Sequence, residues 1–339
     1  MERYVIALDA MGGDHAPDAT VGGAVQALRR FEDISMILTG PKDRIEALLA
    51  GADDVRRRIE IVDCDEVITM DEHPMMAVRK KVNSSMVQAM LAVREKRADA
   101  AVSAGSTGAL LACGMLRVGR IPGIERPALA PVLPGANGPF LLIDSGANVD
   151  CQPKYLTQFG LMGSVYMSAV MGVKEPKVGL VNIGTETEKG NKLTKETFQM
   201  MSAQTSYRFA GNCEAREVPT GDFDVVVADG FDGNIILKYT EGIVSVLLGM
   251  IKKNLKLSFR TKIGAFLCKP GFRKLKKSMD YNAYGGAPLL GVEGAIVKAH
   301  GSSGDEAIAN AIRQAREMLA GEVVEKIRSG LGNLSEQAE

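Results

Sequence analysis

The chain contains no tryptophan, three histidines and no excess charge of either sign, with 41 Lys plus Arg against 41 Asp plus Glu in 339 residues. Balanced charge removes the global field that draws a protein to nucleic acid, and no RNA-binding motif or tryptophan compensates for it. His15, His73 and His300 lie far apart, in no H-x-x-x-H or Cys/His spacing, which argues against a zinc centre. No G-x-S-x-G elbow supports a Ser-His-Asp triad. A Walker loop and a G-x-G-x-x-G fingerprint are both missing, which weighs against a nucleotide or dinucleotide site. The five cysteines are scattered, odd in number and without a C-x-x-C pair. They read as reduced, mostly buried thiols of a cytosolic protein. The first residues do not read as a signal peptide, because Asp9 interrupts the apolar run and no basic region precedes it. No stretch approaches the roughly 18 apolar residues of a membrane span, and "ALLACGML" and "GIVSVLLGMI" read as core helices.

What the chain does contain is an alternation of short apolar runs with longer segments of helical period. "YVIALD", "ISMILTG", "IEIVD", "ADAAVSAG", "PFLLIDSGAN", "KVGLVNIG" and "FDVVVADG" read as strands. Residues 18–30, 44–49, 107–116 and 153–171, together with "SSMVQAMLAVREK", read as helices. This rhythm predicts an α/β fold, a mostly parallel sheet with helices on both faces. A composition of 46% hydrophobic and 24% charged residues supports a sizeable core. The pattern contains no repeat and no low-complexity linker, so residues 1–330 read as one unit; only "GLGNLSEQAE" is expected to fray, over 331–339.

Several strands end in polar, glycine-rich turns: "ALDAMGGDHAP", "AVSAGSTGA", "LLIDSGANVD", "GLVNIGTETEKGN" and "VVVADGFDGN". In an open parallel sheet the carboxyl ends of the strands form the ligand crevice, so these turns are expected to converge. Asp9, Asp14 and His15 lie on the first turn, and Ser103, Gly105, Ser106 and Thr107 on the second. Asp144 and Asn148 lie on the third, Thr185, Glu186, Lys189 and Asn191 on the fourth, and Asp229 and Asn234 on the fifth. Glycines and hydroxyls at a helix start present N–H groups to an anion, though the same residues suit a tight turn with a cap. Lys189 on a glycine-flanked loop suits a phosphate or an oxyanion. Asn234 reads as a helix-opening residue, able to cap or to donate to a ligand. Arg79, Lys80 and Lys81 form a second basic turn, and His300 precedes the last helical region.

Residues 242–279 hold no acidic residue and ten cations, among them Lys262, Lys269, Arg273, Lys274 and Lys277, interleaved with Phe259, Ile263, Phe266 and Leu267. Such a segment suits an anionic membrane surface or an acidic protein.

Seven ordered motifs resemble the PlsX family, the acyl-carrier-protein–phosphate acyltransferases of bacterial phospholipid synthesis. They are "ALDAMGGDHAP", "PMMAVRKKVNSSM", "VSAGSTGALLACG", "LLIDSGANVDC", "VGLVNIGTETEKGN", "VVVADGFDGNIILKYTEG" and "YNAYGGAPLLGVEGAIVKAHGSSG", spanning residues 5 to 304. The resemblance implies a three-layer α/β/α sandwich similar to phosphotransacetylases and isocitrate dehydrogenases, with a helical projection at 240–280. It implies a homodimer in the cytoplasm, at the inner face of the cell membrane, that needs no metal or cofactor. Inorganic phosphate would attack an acyl-carrier-protein thioester, giving acyl-phosphate for a glycerol-3-phosphate acyltransferase.

Under this reading Lys189 and Asn234 hold the oxyanion and position phosphate. Asp9, Asp14 and His15 shape the crevice and either orient Lys189 or accept a proton, and the remaining turn residues with His300 contact substrate. Lys262, Phe266, Arg273, Lys274 and Lys277 meet membrane or carrier protein. Ser106, Ala215 (where the family more often has glycine) and Asp232 depart from the family pattern, and Asp232 is expected to point away from the site. A phosphotransacetylase acting on acyl-CoA, a metal-dependent decarboxylating dehydrogenase and a non-catalytic scaffold are the alternatives.

Overall fold

The structure is a computed structural model, which describes residues 4–278 and 284–335. In chain order the elements are β1 (Tyr4–Asp9), α1 (Asp18–Arg30), β2 (Ile34–Gly40), α2 (Lys42–Leu48), β3 (Ile59–Asp63), α3 (Pro74–Lys80), α4 (Ser85–Arg94) and β4 (Ala100–Ser103). There follow α5 (Thr107–Cys113), β5 (Ala128–Leu129), β6 (Val132–Leu133), β7 (Phe140–Ile143), α6 (Pro153–Ala169), β8 (Lys177–Asn182), α7 (Lys192–Ala203), β9 (Arg208–Glu214) and β10 (Val225–Val227). The chain ends with α8 (Gly230–Asn254), α9 (Phe259–Ser278), β11 (Ala287–Leu290), β12 (Ala295–Lys298), α10 (Asp305–Ala320) and α11 (Val323–Ser335).

The strands form two sheets where the sequence pattern suggested one. A seven-stranded sheet has the order β3-β2-β1-β4-β12-β11-β5, and a five-stranded sheet the order β6-β7-β10-β8-β9. Both are mostly parallel: β1 pairs in parallel with β2 and β4, β4 with β12, and β10 with both β7 and β8. The antiparallel members, β11, β5 and β6, lie at the sheet edges or next to them. With flanking helices this is the expected three-layer α/β class. The central parallel strands β1, β7 and β10 are mostly apolar because both faces are covered; Ile6, Leu8, Leu141, Ile143, Val225 and Val227 are fully buried.

Some helices differ from the periodicity. α2 begins at Lys42 rather than residue 44, and α5 stops at Cys113, where wider π-type turns run on to Val118. "ALLACGML" is core, with Leu110 and Cys113 buried. "GIVSVLLGMI" is not: Ile243, Val246, Leu247 and Met250 on α8 are all exposed. The residues expected to fray are helical to Ser335, with Leu331 buried, because α11 packs against α6.

Candidate active site

β1, β4 and β12 run in parallel, in a register that sets Lys298 opposite Ser103. Their carboxyl ends therefore bring Asp9, Ser103 and Lys298 together. Asp9 is buried; its Oδ2 accepts from Ser103 Oγ at 2.6 Å and its Oδ1 from the Met11 N–H at 3.3 Å. Ser103 Oγ in turn accepts from the Gly105 N–H at 3.0 Å. Burial pushes the Asp9 carboxyl above its ordinary range, against the pull of Ser103, Ser85 and Lys298. Gly12 permits this packing, since a Cβ there would lie 2.6 Å from Asp9 Oδ2 and 2.7 Å from the Gly105 nitrogen. Asp9 was expected to orient Lys189; the cation that faces it is Lys298.

Lys298 is 8% exposed. Its ammonium donates to the Ala104 carbonyl at 3.4 Å and to the Ala299 carbonyl. Burial pushes its pKa down to about 8, while Asp9 and Asp14 pull the other way. Asp14 and His15 are exposed, and the Asp14 N–H ties the first turn to the last by donating to the Gly301 carbonyl at 2.8 Å.

The other sheet contributes the start of α8. Asp144, directly after β7, is fully buried and accepts from the N–H groups of Leu129, Ala147 and Asn148 and from the Asn148 side-chain amide, at 2.6 to 3.1 Å. Its carboxylate is taken up by its own turn and by Leu129 of β5, and Asn148 is held there with it. Asp229 caps α8 by accepting from the Asp232 N–H at 2.8 Å, so the cap is Asp229 and Asn234 sits one turn inside. Gly233 is required, because a Cβ there would lie 1.9 Å from the Asp144 carbonyl oxygen. Asn191 caps α7 and Ser106 caps α5 in the same way, which gives both a local role at a helix start. Lys81 is likewise spent internally, on Glu72 at 2.7 Å and the Val67 carbonyl at 2.8 Å.

A cavity of about 300 Å³ lies between the two sets of strand ends. Its polar lining is Thr107, Ser145, Asn234, Lys238, Glu241, Lys298 and His300; its apolar wall is Leu129, Pro131, Val132, Leu133 and Leu237. Of the residues singled out in the sequence, Thr107, Asn234 and His300 meet here. Asn234 packs against Gly146 of the third turn, whose Cβ would lie 3.5 Å from Asn234 Oδ1. His300 Nδ1 is 2.8 Å from Ser302 Oγ, and Lys238 pairs with Glu241 at 2.8 Å. Among the described residues no group of three or more His, Cys, Asp or Glu is placed to hold a metal ion.

Lys189 does not line this cavity. Thr185, Glu186 and Lys189 are exposed, on a loop held by Asn182, which donates to the Lys189 carbonyl at 3.1 Å, and by Asn212, which donates to the Glu186 carbonyl at 2.9 Å. A larger cavity, about 830 Å³, begins there and is lined by Ile183, Gly190, Asn191, Asp232, Ile235 and Ile236 among others. The first turns of α8 thus separate the two spaces: Asn234, Leu237 and Lys238 face one, and Asp232, Ile235 and Ile236 the other. Asp232 is on the flank away from Asn234, so its charge does not oppose an anion beside that amide.

From Ile243 onward most large apolar residues of α8 are exposed. Ile243, Val246, Leu247 and Met250 on it, and Phe259, Phe266 and Leu267 on α9, are exposed. Lys262, Arg273 and Lys274 are exposed beside them. The Lys277 side chain lies outside the described residues. α8 is long and apolar enough, by length and composition alone, to cross a membrane.

The sequence reading missed Lys298, Lys238 and Ser145. Lys298 carried a usable signal, since "GAIVKAHGSSG" is one more apolar strand ending in a polar, glycine-rich turn. Lys238 had none, because it lies within a helix whose facing only the tertiary structure reveals.

A family model described as "Fatty acid synthesis protein" matches residues 4–326. A phosphate acyltransferase from Clostridium perfringens is 53% identical over 322 residues, covering 95% of each chain. A phosphate acyltransferase from Alkaliphilus oremlandii is 50% identical over 331 residues, covering 98% of each. Among solved structures, a phosphotransacetylase from Streptococcus pyogenes superposes with a TM-score of 0.62 at 16% identity, covering 95% of this chain and 94% of the other. A branched-chain phosphotransacylase from Enterococcus faecalis gives a TM-score of 0.57 at 14% identity, covering 93% of this chain and 99% of the other. At those identities the likeness establishes the fold. The sequence relatives carry the assignment further: this chain belongs to the PlsX family, whose members named here are phosphate acyltransferases.

Proposed function

We propose that the chain transfers a long-chain fatty acyl group from acyl-carrier protein to inorganic phosphate, giving acyl-phosphate. The observation that carries this reading is the single cavity in which a side-chain amide, a hydroxyl and an imidazole (Asn234, Thr107, His300) adjoin an apolar wall. A thioester needs both: donors for the carbonyl oxygen as it becomes an oxyanion, and apolar surface for the chain behind it.

In the proposed step a phosphate oxygen attacks the thioester carbonyl carbon. The new C–O bond forms, the tetrahedral oxyanion collapses, and the C–S bond breaks. The proton of monohydrogen phosphate ends on the carrier thiolate, so acyl-phosphate and a free thiol leave. Phosphate is already nucleophilic near neutral pH, so most of the gain comes from orienting the two reactants and from preorganised donors. Asn234 donates from within the cavity. Lys189 acts from the exposed loop on the far flank of α8.

The exposed apolar and basic residues of α8 and α9 are, in this reading, where a homodimer forms and where the protein meets carrier protein and an anionic inner leaflet. The enzyme would then work in the cytoplasm at the membrane surface and deliver acyl-phosphate to a glycerol-3-phosphate acyltransferase. The deciding measurement is acyl-phosphate formation from palmitoyl-carrier protein and radiolabelled phosphate with EDTA present. Product supports the reaction. Turnover of acyl-CoA alone moves the reading to a phosphotransacetylase, and a folded protein inert with both donors overturns it.

A further inference from the structure

We propose that Lys298 is the cation that binds the phosphate substrate in the cavity between the strand ends, an assignment that rests on the acyltransferase reading above. Lys298 is the last residue of β12, in register with Ser103, and it lines the cavity while only 8% exposed. An ammonium carries three N–H donors. Two are spent on neutral carbonyls, those of Ala104 and Ala299, and among the described residues no ion pair includes Lys298. A buried ammonium held by carbonyl dipoles alone is costly unless an anion completes its shell.

The other charges near the cavity are already matched. Lys238 is paired with Glu241 at 2.8 Å. Asp9 faces Lys298, but its oxygens accept from Ser103 and Met11, and burial pushes its carboxyl above its ordinary range. Lys298 is thus the cation of this cavity left without a carboxylate partner. An oxyanion arriving there accepts from the third N–H, in the same cavity that the Asn234 amide lines. The Asp9–Ser103–Gly105 chain of hydrogen bonds holds the floor on which the lysine rests.

The charge of Lys298 also sets a pH limit. Its pKa of about 8 means that the ammonium is present below that pH and lost above it. The groups that face it are Asp9 and Asp14 from the first turn, Lys238 and Glu241 from α8, and His300 from its own turn. Phosphate affinity is therefore expected to fall as pH rises through about 8. Lys298→Arg, which stays charged, moves that fall above about pH 9.

The test measures phosphate in two ways on the full chain: equilibrium dialysis with radiolabelled phosphate, and steady-state KM values for phosphate and for palmitoyl-carrier protein. Lys298→Met is expected to weaken phosphate roughly tenfold to a hundredfold, the size of a lost charged hydrogen bond, with the carrier-protein KM within about twofold. Lys298→Gln serves if the Met variant does not fold, with thermal melting as the check. Folded variants whose phosphate dissociation constant and phosphate KM are unchanged overturn the inference and leave the acyltransferase reading standing. A wild-type chain that binds phosphate through Lys298 yet makes no acyl-phosphate keeps the anion site and removes the acyltransferase reading. A wild-type chain that neither binds phosphate nor reacts removes both.

Discussion

The helix α8 joins two regions governed by different physics. Its first turns are locked against the third strand-end turn: Asp229 caps them, Gly233 touches the Asp144 carbonyl, and Asn234 rests on Gly146. From Ile243 onward the same helix stands in solvent with an apolar and basic surface. In the first region the cap and the close backbone approach are committed inside the fold, so a change at Asp229 or Gly233 is felt at once by the neighbours that depend on it. In the second, large apolar side chains are left exposed. The lesson is that a residue's sensitivity to substitution follows its committed contacts, and hydrophobicity alone misplaces it. "GIVSVLLGMI" is the more apolar stretch, yet it is in "ADGFDGN" that Ala228, Gly230 and Gly233 are buried.

Substitutions sharpen this contrast. The largest effect is expected at Asn234→Ala, which should lower kcat by about two to three orders of magnitude, as loss of an oxyanion donor does, with little change in melting temperature. Lys189→Met belongs in the same assay, and a near-normal kcat for either variant would remove that residue from the mechanism. Gly233→Ala should come next and act on folding: a Cβ 1.9 Å from the Asp144 carbonyl forces the helix start to shift. A loss of about 3 kcal/mol in urea unfolding is expected; an unchanged midpoint would show that α8 is not anchored as described.

On the projecting side, Lys262→Glu with Lys274→Glu should weaken binding to anionic vesicles by at least roughly thirtyfold, at about 1 kcal/mol per cation lost. Unfolding should barely respond. If both vesicle binding and carrier-protein KM stayed constant, the projection would lose its proposed contacts. Phe266→Ser should reduce vesicle binding even at high salt, where charge is screened. The smallest effect is expected at Ser106→Ala, which removes the α5 cap and costs about 1 kcal/mol, measurable by denaturant titration and small beside Gly233→Ala.

Much of the crevice was legible because parallel strands make their ends conspicuous. Apolar runs that stop at Asp9, Ser103, Asp144 and Asp229 marked the turns, and the register of β1, β4 and β12 brings Asp9, Ser103 and Lys298 to one level. Less legible was which polar residue serves the fold and which the ligand. Asp144, Asp229, Asn191 and Ser106 look in sequence like ligand groups, and each satisfies backbone N–H groups close by. A cap and a ligand donor draw on the same short polar side chains, so residue type cannot separate them.

The sequence by itself determined the α/β class, the parallel strands, the family and the turns where chemistry gathers, because these follow from local periodicity and from ordered motifs. Only the tertiary structure decided that the strands divide into two sheets, that Lys298 rather than Lys189 faces Asp9, and that α8 passes from a packed start to an exposed stem. Those outcomes depend on which distant segments meet: β12 is inserted beside β4 almost two hundred residues away in the chain. Lys298 Nζ and the Ala104 carbonyl it meets are separated by 194 residues in sequence. Burial and charge pairing are properties of that meeting, and no local pattern encodes them.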